Sequence, residues 1–314
     1  MIMKKFIESK KNFKLAIKNI PLASQTFSKS YKFLPKNRSP LFLKKGKGCY
    51  VYDYDKNKYI DLVNGLLSIS LGYNIKEIDD SVKKQMKSGV NFSLPNLIEN
   101  KLAKELIKLI PSAEMVRYAK NGSDATSAAI RLARAFTKRD IILFCGYHGW
   151  HDWYIGKTTM NNGIPKSVSN LSKTFKFNDI KSFNNIFKKY KKKIAAVILE
   201  PMSFEKPKLS FLKKIKEECK KNKTLLIFDE TCTGFRFNIG GAQKLFGITP
   251  DLSTFGKGIA NGYPLSVLVG KRKFMNVCDK IFFSSTFGGE TLSLIAAYET
   301  IQFIKKKNVI NHLY

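Results

Sequence analysis

Five short stretches of this 314-residue chain hold residues that could do chemistry, and each follows an apolar run. Lys257, in LSTFGKGIANGYP, stands between Gly256 and Gly258. Small neighbours let a lysine amine and a planar aldehyde approach closely enough to form a Schiff base. Lysine is so common here that a glycine-flanked lysine means little alone; its place just past a strand, 28 residues after Asp229, gives it weight. Asp229 closes the run TLLIFD, and a carboxylate at the end of a buried strand needs a partner, because burying an unpaired charge is costly. A protonated pyridine nitrogen is such a partner, and keeping it protonated makes the ring an electron sink. An aspartate capping a loop has the same appearance in sequence. Gly122 and Ser123, in AKNGSDATSAAIRLARAFT, lie where a strand gives way to a helix. Free N–H groups and partial positive charge at a helix start suit a phosphate, and a plain serine N-cap would read the same way.

Two further stretches complete the set. Tyr147, in FCGYHGWHDW, follows a strand and can stack on a flat ring. The same stretch offers His148, His151 and Asp152 as metal ligands. They lack the helical spacing of a HExxH site, and the other histidine of the chain is the distant His312, so no metal ligand is assigned. Thr286, in SSTFGGE, puts a hydroxyl beside two glycines, which fits either a second phosphate contact or an ordinary loop.

The elements that must position these residues follow from the hydropathy pattern. PLFLKKGKGCYVYDYDKNKYIDL alternates apolar and polar residues, with Gly46 and Gly48 in one turn and Asp55-Lys56-Asn57 in the next, and predicts a small antiparallel meander. Helical periodicity follows in IKEIDDSVKKQMKSG and in LIENKLAKELIKLI, which Pro111 stops. Apolar strands are then predicted at 115–119, 141–146, 194–200, 224–230, 252–256 and 265–270, with helices at 123–137, 179–190 and 209–222. Strands alternating with helices predict an α/β domain whose mainly parallel sheet carries helices on both faces. Ligands of such sheets bind beyond the carboxyl ends of the strands, where the five stretches lie. The chain divides into an N-terminal helix and meander, 1–75, and a large α/β domain, 76–314.

Composition excludes several classes. The net charge of +32 resembles a polyanion binder, but arginine occurs only at 38, 117, 131, 134, 139, 236 and 272. The remaining cations are lysines spread through a sequence rich in Asn, Ile and Phe, as an A/T-rich genome would encode. Readers of bases and phosphates favour arginine forks, so no nucleic-acid partner is expected. The five scattered cysteines, without a CxxC pair, read as reduced thiols of a cytoplasmic protein. The basic start, MIMKKFIESKKNFKLAIKNI, has no continuous apolar core and reads as neither a signal nor a transit peptide. No run approaches the length of a membrane span, so no membrane partner is expected.

Together these residues resemble the class III aminotransferases, members of the fold-type-I pyridoxal-phosphate enzymes, over positions 30 to 305. The stretch DETCTGFRFNIGGAQKLFGITPDLSTFGKGIANGYP is especially similar to glutamate-1-semialdehyde aminomutases. The resemblance implies pyridoxal 5'-phosphate as cofactor, Lys257 as its Schiff-base lysine and Asp229 as the partner of its pyridine nitrogen. It makes Gly122 and Ser123 the phosphate cradle, Tyr147 the stacking ring and Glu200 an acidic group on the cofactor's hydroxyl side. It has Thr286 reach the phosphate held by a neighbouring subunit, which implies a homodimer with the active site at its interface. The substrate would be a small amino acid or amino/keto compound. Three positions depart from the aminomutase pattern: Thr231 stands where that group carries Val, Leu66 where it carries Trp, and Glu290-Thr291 where it carries Asn-Pro. The last two open an alternative, an aminotransferase acting on another amino/keto or amino-sugar substrate. The family also continues past the last long helix into a C-terminal subdomain on the order of a hundred residues. Its absence from this sequence predicts that the apolar face of that helix, Leu292, Leu294, Ile295, Ala297, Tyr298, Ile301 and Ile304, lies bare. It also leaves open an inactive fragment or a non-catalytic partner subunit.

Overall fold

A computed structural model of the chain describes residues 6–35 and 38–314; the first five residues of the basic start lie outside the described residues. The chain forms two compact units, Met1–Ile75 and Lys76–Tyr314.

In the first unit, β1 (Leu43–Lys47), β2 (Tyr50–Asp53) and β3 (Lys58–Ile60) form the antiparallel meander that the alternation predicts. Gly48 turns the chain between β1 and β2 at φ +57°, a left-handed conformation that costs a glycine little. Gly46 does not share that turn. It lies inside β1, where the ring of Tyr73 occupies the space a side chain would need, 2.4 Å from the position of an added Cβ. The second turn is held by Asp53, which accepts from Asn57 N at 2.8 Å and from the Tyr59 hydroxyl at 2.8 Å. After β3 the backbone runs left-handed through Asn64, Gly65, Leu66 and Leu67. The Asp61 carboxylate holds this turn by accepting from Val63 N, Asn64 N and Gly65 N, and from the Tyr73 hydroxyl at 2.6 Å.

The second unit is built on seven strands: β4 (Met115–Ala119), β5 (Ile141–Cys145), β6 (Ser172–Thr174), β7 (Ile194–Leu199), β8 (Leu225–Asp229), β9 (Leu252–Phe255) and β10 (Ser266–Gly270). Their order is β4-β10-β9-β8-β7-β5-β6, and β10 alone runs antiparallel to both neighbours. The sheet is therefore mainly parallel, as the strand–helix alternation predicts. The edge strand β6 escapes the sequence reading because its three residues, Ser-Lys-Thr, carry no apolar signal. One face packs on the helix Gly122–Thr137, which contributes Ala128, Ala129, Ile130, Leu132 and Ala133 to the core. The other packs on the helices Ile180–Tyr190 and Leu209–Lys221 through Phe183, Phe187, Phe211, Leu212 and Ile215. Burial on both faces is why β7 and β8 read as unbroken apolar runs.

The last long helix, Thr291–Lys306, does not present the bare face expected from its pattern. Leu294, Ala297, Ile301 and Ile304 are buried against the helices Lys76–Met86 and Leu97–Leu109 of the same unit. A pattern of apolar residues shows that a face is covered but not by what, and here the cover comes from earlier in the chain.

Candidate active site

The carboxyl ends of β4, β5, β7, β8 and β9 carry Ser123, Tyr147, Glu200, Asp229 and Lys257 in or just beyond them. All five strands run the same way, so these residues collect along one edge of the sheet.

Asp229 is the last residue of β8 and is 3 % exposed. Its neighbour in register on β9 is Thr254, whose hydroxyl donates to Asp229 Oδ1 at 3.0 Å. Thr231 donates to the same oxygen from its backbone N–H at 3.1 Å and from its hydroxyl at 2.6 Å. His148 Nδ1 meets the other oxygen at 2.8 Å, while its Nε2 meets Cys145 O at 3.1 Å and its ring stacks on Trp153. Burial pushes the Asp229 carboxyl up, but the hydrogen bonds and charge of His148 and the bonds from Thr231 outweigh it, holding the group below the usual carboxylate range. The result is a buried anion at a strand end.

The helix Gly122–Thr137 begins beside this anion. Asp124 closes its first turn by accepting from Asn121 N at 2.8 Å. Ser123 Oγ accepts from Trp150 N at 3.1 Å, which leaves its own hydroxyl proton free to donate. Gly149, at φ +98°, permits this approach: an added Cβ would stand 2.1 Å from Ser123 Oγ. Thr231 ties the elements together. Its methyl group lies 3.0 Å from where a Cβ on Gly122 would be and 3.2 Å from the same point on Gly256. Helix start, end of β8 and the lysine loop thus meet around one side chain.

Lys257 follows Gly256 and opens a short turn with φ +42°. Its Nζ lies 2.7 Å from Cys232 Sγ. Glu200 accepts from Tyr147 N at 3.0 Å, and burial raises its carboxyl above the usual range against that bond. Tyr147 is 59 % exposed, and its ring makes a T-shaped contact with Tyr154, the ring centroids 5.5 Å apart.

The structure therefore brings together Gly122, Ser123, Tyr147, Glu200, Asp229 and Lys257. It leaves Thr286 exposed on the loop before the last long helix, without a hydrogen bond to the cradle among the described residues. The two histidines weighed as metal ligands are otherwise engaged: His148 with Asp229, and His151 Nδ1 with Ser127 Oγ at 2.7 Å. The sequence reading missed His148, Thr254 and Cys232 as members of the site. His148 follows a strand, as Tyr147 does, but nothing local to it points at a carboxylate 81 positions away.

The motif around 229–243 has a structural share as well. Glu230 is fully buried and accepts from Thr233 Oγ1, Ala242 N, Gln243 N and Gln243 Nε2. Gly241, at φ +81°, leaves room for that carboxylate; a Cβ there would lie 2.6 Å from Glu230 Oε1. The GGAQ element thus anchors the segment that carries Asp229.

The donor set fits pyridoxal phosphate: N–H groups at a helix start, a buried anion, an amine at the next strand end and an exposed aromatic residue. This fold and site define a pyridoxal-phosphate-dependent transferase of fold type I. A solved structure of FumI from Sphingopyxis sp. MTA144, in its PLP internal aldimine form, superposes with a TM-score of 0.89 at 31 % identity, over 96 % of this chain and 73 % of that one. The class III aminotransferase model matches residues 33–313, and the chain belongs to that family of pyridoxal-phosphate enzymes. It is 40 % identical to the 3-aminobutyryl-CoA aminotransferase of Cloacimonas acidaminovorans, over 98 % of this chain and 75 % of that protein. It is 39 % identical to the glutamate-1-semialdehyde 2,1-aminomutase of Legionella pneumophila strain Paris, over 87 % of this chain and 68 % of that protein.

Proposed function

We propose that the chain transfers an amino group between two small molecules, an amine donor and a carbonyl acceptor, with Lys257 as the lysine that bonds the cofactor. The observation that carries this reading is the buried Asp229, held as an anion by His148, Thr231 and Thr254 on the strand next to the one that delivers Lys257. Pyridoxal phosphate, when bound, supplies an electron sink for a carbanion formed beside the amine. Asp229, held as an anion, would favour a proton on the pyridine nitrogen. Gly122 and Ser123 would hold the phosphate through their N–H groups and the serine hydroxyl. Tyr147 would offer its ring for stacking, and Glu200 would supply an acidic group near the cofactor's hydroxyl. Lys257 Nζ would bond the cofactor and, when free, could hold a proton taken from a substrate carbon.

Support for intermolecular transfer comes from the relative named as an aminotransferase, 40 % identical over 98 % of this chain, and from Leu66 and Glu290-Thr291, which depart from the aminomutase pattern. The substrates to try first carry the amine on the carbon β to an acyl group. The second reading is the 2,1-aminomutase, favoured by 39 % identity over 292 residues to the Legionella enzyme. Two copies of the chain would form a cytoplasmic homodimer in which Thr286 of the partner subunit completes the phosphate site. In support, Phe282 and Phe287 flank that loop at 82 % and 56 % exposure, an apolar patch suited to an interface.

The test is to load the protein with pyridoxal phosphate, reduce with borohydride and map the labelled peptide, then supply single amines and analyse products by mass spectrometry. Label on Lys257 and a released ketone or keto acid support the proposal. Label on another lysine defeats the site. Conversion of glutamate 1-semialdehyde to 5-aminolevulinate, with no carbonyl product released from any amine, favours the aminomutase instead.

A further inference from the structure

We propose that Cys232 is a positioning residue for Lys257, its thiol holding Nζ in place both when that nitrogen is charged and when it is neutral. This rests on the reading of Lys257 as the cofactor lysine. The two atoms lie 2.7 Å apart, brought together from opposite ends of the site segment. Cys232 sits three residues past the end of β8, and Lys257 two past the end of β9. Both sides of the contact are held. The carbonyl of Cys232 accepts from Arg236 Nε at 3.1 Å, and Gly234 N donates to Glu230 O at 2.8 Å, closing the turn that carries the thiol. On the other side, the lysine turn packs against the helix Thr291–Lys306.

The chemistry of the contact suits a nitrogen that must change its proton count. A thiol is both a weak donor and a weak acceptor. It accepts an N–H from a charged amine and offers its S–H to a neutral one. A carboxylate here would hold the ammonium form and resist loss of its proton, and an apolar side chain would hold neither form. The groups facing the thiol are Glu200 from the end of β7, Asp229 from the end of β8 with His148 behind it, and Lys257 from the end of β9. Burial pushes the Cys232 thiol up and the lysine pulls it back down; the two carboxylates add to the rise, so the net direction is upward. The sulfur therefore keeps its proton and remains able to donate.

The test uses the full chain and two readouts. In the cofactor-free protein, iodoacetamide labelling of the Cys232 peptide is followed by mass spectrometry across pH, in the wild type and in Lys257→Met. Loss of the neighbouring cation should lower the thiolate fraction and slow labelling about tenfold near neutral pH. In the loaded protein, the pH midpoint of the visible absorbance is compared among the wild type, Cys232→Ala and Cys232→Ser. Alanine should move the midpoint and serine, which also donates and accepts, should restore most of it. Unchanged labelling in Lys257→Met overturns the proposal, as does a midpoint that alanine leaves in place. The labelling arm needs neither cofactor nor substrate, so it stands or falls separately from the amino-transfer reading, which the borohydride map decides.

Discussion

His148 Nδ1 lies 2.8 Å from Asp229 Oδ2, and their side chains are 0 % and 3 % exposed. A carboxylate buried this far keeps its charge only through such partners, and removing one partner of a buried pair leaves the other uncompensated. His148→Ala should therefore destabilise the fold by about 3 kcal/mol, read as a lowered urea midpoint. Asp229→Ala should leave a folded protein whose amino-transfer rate falls by several orders of magnitude, the scale of a lost electrostatic partner. Near-normal turnover by that variant would mean that another group serves the ring nitrogen.

Thr231 gives Asp229 its shortest hydrogen bond, at 2.6 Å. Thr231→Val keeps the methyl contacts with Gly122 and Gly256 and removes only the hydroxyl, at a cost of about 1 kcal/mol. The sign of the pH effect follows from the depressed Asp229 carboxyl. A depressed carboxyl contributes stability that is present above its unfolded value and lost as pH falls through the folded one. Valine weakens the depression, so the acid-unfolding midpoint should move to higher pH while stability near neutrality changes little more than the bond itself. An acid midpoint unchanged from the wild type would show that the hydroxyl does not hold the carboxylate.

Lys120 and Glu290, 2.8 Å apart with side chains 16 % and 12 % exposed, join the start of the cradle to the start of the last long helix. Glu290 also accepts from Leu292 N at 2.6 Å and Ser293 Oγ at 2.7 Å, capping that helix. Glu290→Ala should cost about 3 kcal/mol, since it removes the cap and leaves a lysine unpaired. In a double-mutant cycle, Lys120→Met should recover part of that loss. Strict additivity of the two changes in urea denaturation would mean that the pair contributes nothing beyond the cap.

Gly149 allows the approach of its loop to Ser123. Gly149→Ala combines a strained left-handed residue with a Cβ 2.1 Å from Ser123 Oγ, so the serine must move. Pyridoxal-phosphate affinity should fall about tenfold, measured by fluorescence titration of the cofactor-free protein, the scale of one impaired charge-assisted bond. Unimpaired affinity would place the phosphate elsewhere.

Much of this site can be read from the sequence because strand ends are local events. TLLIFD and LSTFGK each state that an apolar strand stops and that a chemically distinctive residue follows, and two-sided burial makes the strand itself plain. The glycines at 146, 149 and 241 stand where Glu200, Ser123 and Glu230 need the space, which a sequence reading sees only as a loop signal.

What the tertiary structure alone decided is which distant groups meet. His148 is 81 positions from Asp229, and Cys232 is 25 from Lys257. Hydropathy patterns report whether a side chain is covered, one segment at a time. They carry no information about strand order, and that order lets the loop after β5 reach past β7 to the end of β8. The same limit explains the antiparallel direction of β10, the polar strand β6 and the helices that cover the last long helix. In each case the deciding energy belongs to contacts between segments far apart in sequence, which form only once the sheet has fixed their neighbours.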